Sequence, residues 1–265
     1  MGDHLTSGAA PILEVEELSK TFVGVQALDR YALRLPPLAI HGVIGPNGAG
    51  KSTLFNLLTG FLAPTSGTIR FLGREITRQP AASVARLGIA RTFQNIRLFG
   101  QLSVIENVKA ALQSQLPGSL IGTLLSSPAF RQRERALDAR AEALLERVGL
   151  AGRRDREART LPYGDQRRLE IARAVALNPK VLLLDEPNAG MNPNETVDLL
   201  ALIRRLRDEL KITIVLVAHD IPLVMNLCDT IQVLNYGKLI AEGDPATVRN
   251  NSEVVAAYLG TATER

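Results

Sequence analysis

The sequence predicts an α/β fold, a sheet-and-helix core interrupted by an inserted α-helical subdomain. Three observations predict it. Strands alternate with helices toward both ends of the chain, a helical block fills the middle, and a glycine-rich loop joins an apolar strand to a helix. The 265 residues suffice for one large domain with a substantial core.

Taken in order, residues 1–10 are small and polar and are expected to be disordered. Ile12 to Leu18 alternates apolar and acidic residues and reads as a strand. Ile40 to Ile44 is a short apolar run ending at glycine, Leu54 to Leu62 has helical spacing, and Thr68 to Leu72 is a strand between turn residues. Ser103 to Val148 reads as helical, with Leu116 to Phe130, which contains Gly, Ser and Pro, as a connection. A helical pattern runs from Arg168 toward Pro179, Val181 to Leu184 is a buried strand, and Glu195 to Leu210 is a helix. Ile212 to Ala218 is β-branched and apolar, hence a central strand. Ile231–Leu234 and Lys238–Ala241 flank Asn235-Tyr236-Gly237 as a hairpin. This reading makes residues 11–265 one domain, with the α/β core in 11–93 and 176–265 and the helical subdomain in about 94–175.

Composition excludes some classes. Lys and Arg total 31 against 27 Asp and Glu, a net charge of +4, too small an excess to choose between nucleic acid and an anionic membrane surface. Cys228 is the one cysteine, which rules out an internal disulfide framework and a CxxC site and fits a cytoplasmic address. It reads as a small buried hydrophobe. No apolar run approaches the roughly 20 residues needed to span a bilayer, so a link to a membrane is expected to run through partner proteins.

Gly45-Pro46-Asn47-Gly48-Ala49-Gly50-Lys51-Ser52-Thr53 fits G-x-x-x-x-G-K-[ST] between a strand and a helix. Its four fixed positions recur by chance at roughly one site in 30,000. Glycines let the main chain wrap a phosphate, and the helix N-terminus adds partial positive charge. Lys51 is suited to the β- and γ-phosphates of ATP, and the Ser52 hydroxyl to Mg²⁺. Val181-Leu182-Leu183-Leu184-Asp185-Glu186-Pro187 ends a buried strand on two carboxylates. Asp185 is placed to hold Mg²⁺ and Glu186 to polarise an attacking water. Acidic residues also end strands as solvated turn residues, and it is the phosphate loop that favours the catalytic reading. His219 follows a strand at the end where open α/β sheets place ligands, so its imidazole is a candidate for the γ-phosphate. A lone histidine is more often structural, and by itself Gln94 reads as a surface residue.

Together these residues resemble the ABC ATPase family, which implies a P-loop NTPase α/β core with an antiparallel β part near the N-terminus and an inserted α-helical subdomain. Leu161-Pro162-Tyr163-Gly164-Asp165-Gln166 stands where that family carries its signature, and Ala189-Gly190-Met191-Asn192 where it carries a loop that crosses to a dimer partner. The resemblance runs from about Ile12 to Leu259. It implies that Phe22 stacks on adenine, that Gln94 senses Mg²⁺ or the water, and that Tyr163 and Gly164 face the partner chain's γ-phosphate. Two departures stand out. Pro162 and Asp165 replace the usual Ser and Gln, which weakens the phosphate contacts of the signature, and Leu38-Ala39-Ile40-His41 lacks a usual Gly-Glu, read as local packing.

Arg91-Thr92-Phe93-Gln94-Asn95-Ile96-Arg97-Leu98-Phe99, Gly190-Met191-Asn192-Pro193, Leu234-Asn235-Tyr236-Gly237 and Ala256-Ala257-Tyr258-Leu259-Gly260 are similar to the ATPases of branched-chain amino acid importers, and the long segment from about Gln113 to Ala151 resembles the larger of the two. That likeness makes Pro162 a sub-family mark. It implies a second ABC ATPase as dimer partner (a different chain or a second copy), two membrane permeases, an external solute-binding protein reached indirectly, and a seat on the cytoplasmic face of the membrane. ATPases of urea, amide and other amino acid importers share much of the pattern. A soluble ABC ATPase acting on nucleic acid is the rival of another class. Its usual marks, two ATPase units in one chain or a long coiled-coil insertion, are absent, so no nucleic-acid partner is expected.

Overall fold

The computed structural model describes residues 10–115 and 128–259, so residues 1–9 of the expected disordered start and most of the 116–130 connection lie outside the described residues. In chain order the elements are β1 (Leu13–Phe22), β2 (Val25–Leu35), β3 (Ile40–Ile44), α1 (Lys51–Leu58), β4 (Ser66–Phe71), β5 (Arg74–Glu75), α2 (Ala81–Leu87), β6 (Ile89–Arg91), α3 (Val104–Ser114), α4 (Pro128–Arg147), α5 (Tyr163–Ala176), β7 (Val181–Asp185), α6 (Pro193–Leu210), β8 (Thr213–Val217), α7 (Ile221–Leu227), β9 (Thr230–Asn235), β10 (Lys238–Gly243), α8 (Pro245–Arg249) and α9 (Ser252–Leu259). They fall into two compact units, Met1–Val84 with Ile212–Arg265, and Ala85–Lys211.

The first unit carries an antiparallel sheet in the order β2-β1-β4-β5. Val23 and Gly24 form the two-residue turn between β1 and β2, at φ 40° and 85°, with Phe22 paired to Val25. Both turn residues having positive φ matches the twist of the flanking strands. The same unit holds parallel strands, β3 between β8 and β9, with β10 antiparallel on β9. Every residue of β3 and β8 is buried, as covered parallel strands require. The expected hairpin turns on Tyr236-Gly237, at φ 45° and 78°.

Helix α1 is shorter than its apolar spacing suggests. It ends at Leu58, and Gly60 turns left-handed at φ 72°, where a Cβ would meet Gln79 O at 2.4 Å. Phe61 N–H then bonds Asn56 O at 2.9 Å and Gly60 N–H bonds Leu57 O at 3.2 Å, so the last turn is closed and Phe61 and Leu62 are outside it.

The second unit pairs β6 with β7 in parallel and packs α3 against α4 and α5. Capping boxes start two helices, Ser103 with Glu106 on α3 and Asn192 with Glu195 on α6, the latter followed by Pro193. Buried Asn107 ties down the loop before α3, donating to Phe99 O and Ser103 O at 3.0 Å each and accepting Phe99 N–H at 3.0 Å. Among the described residues no helix is long and apolar enough to cross a membrane.

Candidate functional site

In the first unit, β3 leads into the phosphate loop and α1 leaves it. Buried Ile40–Ile44 fixes where the loop begins. Gly45, at φ 154°, lies so close to β9 that a Cβ would meet Leu234 O at 2.1 Å, and one on Gly50 (φ 105°) would meet Ala27 O at 2.5 Å. Gly48 is different, because at φ 79° nothing lies within 4 Å of where its Cβ would be. Two glycines therefore press the loop against β9 and β2, and the third borders open space. Lys51 is buried, and its Nζ donates to Gly45 O at 2.6 Å and Pro46 O at 2.9 Å. An ammonium group curled inside this loop puts its charge within the main-chain ring that a phosphate would enter. Ser52 is exposed on the first turn of α1, next to half-buried Thr53, with Asn47 exposed and Ala49 buried on the loop.

The same unit carries the other two residues expected near the nucleotide. Phe22 closes β1 with 41% of its surface exposed, and Lys20 Nζ, which donates to Ala63 O at 2.8 Å, lies 5.0 Å from its ring centre. An open aromatic face next to a cation suits stacking on a base. His219 is exposed two residues after the end of β8, and Asp220 caps α7 by accepting Leu223 N–H at 3.0 Å. His41, beside the missing Gly-Glu, is fully packed in the sheet with Nδ1 2.8 Å from Thr230 Oγ1. Burial lowers its pKa to about 4. Cys228 is buried, and burial pushes its thiol well above the ordinary range, in keeping with a core hydrophobe.

In the second unit, β7 delivers the carboxylates. Asp185 ends the strand, buried, and accepts Arg91 Nη2 at 2.7 Å from the neighbouring strand β6. Its own N–H bonds Thr92 Oγ1 at 3.2 Å. Glu186 follows at φ 45°, a left-handed conformation that costs a non-glycine residue about 1 kcal/mol or more. That kink turns its carboxylate toward Gln94, whose Nε2 donates to Glu186 Oε2 at 3.0 Å. The structure therefore brings Gln94 and Glu186 together, although 92 positions separate them.

Helix α5 begins at Tyr163, with Pro162 as its N-cap, so the proline sits one step ahead of the first helical turn. Its carbonyl accepts Asp165 N–H and Gln166 N–H, both at 3.0 Å. Asp165 pairs with Arg153 and sits in the first turn, where an acid complements the helix dipole. Gly164 is buried at Glu195, with room for a Cβ only 3.0 Å from Glu195 Oε1, and Tyr163 is exposed, its ring 3.2 Å from where Gly190 would carry a Cβ.

Sequence reasoning missed the groups that organise this unit, namely Arg91, Arg167 and Glu170. Arg91 lies inside a motif that was quoted for other reasons, and buried Arg167 and Glu170 sit on an amphipathic helix where charges are ordinarily solvated. Nothing in a one-dimensional pattern separates them from surface charges. A groove of about 600 Å³ also opens in this unit, lined by Phe93, Leu98, Phe99, Arg97, Arg173 and Leu177 among others.

The family described as ABC transporter matches residues 28–189, well over half of the chain. The chain belongs to the ABC transporter ATP-binding proteins. A second match, to the branched-chain amino acid ATP-binding cassette transporter family, covers residues 238–264. The cassette is 47% identical over 252 residues to the high-affinity branched-chain amino acid transport ATP-binding protein LivG of Escherichia coli, covering 95% of this chain and 99% of that one. BraF of Pseudomonas aeruginosa, which bears the same description, matches with the same identity and coverage. Among solved structures, the ADP conformation of an ATP-binding cassette of an ABC transporter superposes with a TM-score of 0.81 at 31% identity, covering 94% of this chain and 98% of the other. A nucleotide-free ATP-binding cassette gives the same TM-score and identity. The expected fold, an α/β P-loop cassette with an antiparallel sheet, is the fold observed.

Proposed function

We propose that this cassette binds and hydrolyses Mg-ATP to power import of branched-chain amino acids. The observation that carries the hydrolytic part is the Gln94–Glu186 hydrogen bond at 3.0 Å, which fixes a carboxylate against a neutral amide at the end of a buried strand. A carboxylate so held is suited to orient and deprotonate a water, while the amide steadies it. The phosphate loop supplies the anion site, through main-chain N–H groups, the α1 N-terminus and Lys51. The open space at Gly48 and the carbonyl-held ammonium fit a phosphate group there. Phe22 offers its ring to the base. His219 would meet the γ-phosphate. Ser52 and Asp185, with Gln94, would hold Mg²⁺, which when bound spreads the charge of the phosphate oxygens. Such an ion keeps most of its shell on phosphate and water, so it needs few protein ligands. Asp185 fits this as a carboxylate, a hard oxygen donor, at the end of β7.

The transported substrate rests on the likeness to LivG and BraF over 95% of the chain. The same likeness supports pairing with a second ABC ATPase, to whose nucleotide Tyr163 and Gly164 would be offered, and docking on two permeases at the cytoplasmic face of the membrane. The aromatic and arginine-lined groove at Phe93, Arg97, Phe99 and Arg173 is the surface we assign to a permease. The test is to purify a tagged Glu186→Gln variant from host membranes in Mg-ATP and to identify its companions by mass spectrometry. Recovery of two permeases and a second ATPase, with radiolabelled leucine uptake lost on deletion, supports the reading. Recovery of ribosomal or DNA-bound proteins alone overturns import.

A further inference from the structure

Arg167 is completely buried on α5, one turn after the start of the helix. All four Nη hydrogens are in use. Nη1 donates to Phe93 O at 2.7 Å and to Glu170 Oε2 at 2.7 Å, and Nη2 donates to Gln94 O at 2.9 Å and to Tyr163 Oη at 3.1 Å. The guanidinium also lies 5.8 Å from the Tyr163 ring centre. Glu170 completes the clasp by accepting Phe93 N–H on Oε1 at 3.1 Å. The segment Phe93–Gln94 is thus gripped through one N–H and two carbonyls by a single ion pair.

Two segments meet this pair directly and a third reaches it through the Tyr163 ring. The first carries Gln94, which bonds Glu186. The second begins α5 at Tyr163. The third holds Gly190, whose missing Cβ leaves 3.2 Å to the Tyr163 ring. Glu170 and Phe93 also line the groove. Two well-packed apolar side chains would be as stabilising as a buried ion pair, or more so. What they cannot supply is the planar fork of an arginine, which fixes several acceptors in one geometry.

We infer that the buried Arg167–Glu170 pair is a positioning element that sets Gln94 for hydrolysis in its own chain and Tyr163 for the nucleotide of the partner. It thereby makes the two respond together to displacement of the groove wall at Phe93. This inference rests on the ATPase reading above. The hydrogen bonds of the pair go to the main chain of 93–94 and the Tyr163 hydroxyl, and it acts through them.

The test compares wild type with the double variant Arg167→Met with Glu170→Met, which removes both charges and avoids leaving one buried alone. Turnover and nucleotide affinity are measured on the full chain, with amide hydrogen exchange by segment. The expected result is at least a tenfold fall in kcat with the ATP affinity of the chain measured without its partner changed less than twofold, and faster exchange confined to 93–97 and 163–166. Turnover within twofold of wild type in a folded variant overturns the inference, as does a parallel loss of affinity, which indicates general loosening. Should the double variant not fold, Glu170→Gln, which retains an acceptor for Phe93 N–H, is read by the same ratio. Wild-type turnover, measured first, judges the ATPase reading by itself, and variant-to-wild-type ratios judge the pair.

Discussion

Lys51 of the phosphate-loop unit is held by main-chain atoms close in sequence, whereas Asp185 and Glu186 of the carboxylate unit are held by side chains far away in sequence. Lys51 rests on carbonyls of Gly45 and Pro46, six and five residues distant. Asp185 rests on Arg91, 94 residues away, and Glu186 on Gln94, 92 away. A main-chain site tolerates most side chains around it as long as its glycines remain. A side-chain site fails when either member of a pair is removed, because a buried charge without its partner is costly. The lesson is that the first half of the chemistry is robust and local, and the second is cooperative and assembled by tertiary structure.

The largest effect expected is on chemistry. Glu186→Gln should retain ATP binding and lower turnover by about 10²–10⁴-fold, the range of a general base, in a steady-state phosphate-release assay. Turnover near wild type removes Glu186 from the water. The next blow tests the dependence on distant pairs. Arg91→Met should cost about 3–5 kcal/mol in denaturant unfolding, because it leaves Asp185 buried without its cation. A loss below 1 kcal/mol would mean that the side-chain unit is as forgiving as the main-chain one.

Acid sharpens the contrast from the other side. His41 is held neutral in the folded state, with its pKa lowered from 6.5 to about 4 by burial. The unfolded chain binds the proton more readily, so stability contributed by His41 is intact above pH 6.5 and declines as pH falls toward 4. The decline amounts to about 3 kcal/mol by pH 4. The measurement is the unfolding free energy of wild type minus that of His41→Asn across pH 7 to 4, and a flat difference contradicts it. Phe22→Ala should weaken ATP binding by about 1–3 kcal/mol in calorimetry if the ring stacks on the base. Smallest of all, Asn192→Ala should destabilise the chain by about 1 kcal/mol through loss of the α6 capping box, read as a shift in the denaturant midpoint.

Much of this was legible in advance, unevenly. The phosphate loop announces itself because strand, glycines, lysine and helix start are contiguous, and β3, β7 and β8 are legible because strands buried on both faces are continuously apolar. Strand β2 escaped notice. Leu28, Tyr31, Leu33 and Leu35 are its buried residues, but Arg30 at φ 46° breaks the alternation between Leu28 and Tyr31, so the period of two holds only over the short stretch Tyr31–Leu35. The end of α1 was overrun because Phe61 and Leu62 continue the apolar pattern past the glycine that stops the helix.

The sequence by itself determined the local chemistry, meaning the loop that can cradle phosphate, the carboxylates after an apolar strand, and the helix caps at Ser103 and Asn192. Each of these needs only neighbours along the chain. Tertiary structure alone decided which charges meet. Arg91 reaches Asp185, Gln94 reaches Glu186, and Arg167 reaches Phe93, Gln94, Glu170 and Tyr163. A charged residue on an amphipathic helix has the same letter whether it faces water or a buried acceptor. Only packing removes the water and makes the difference.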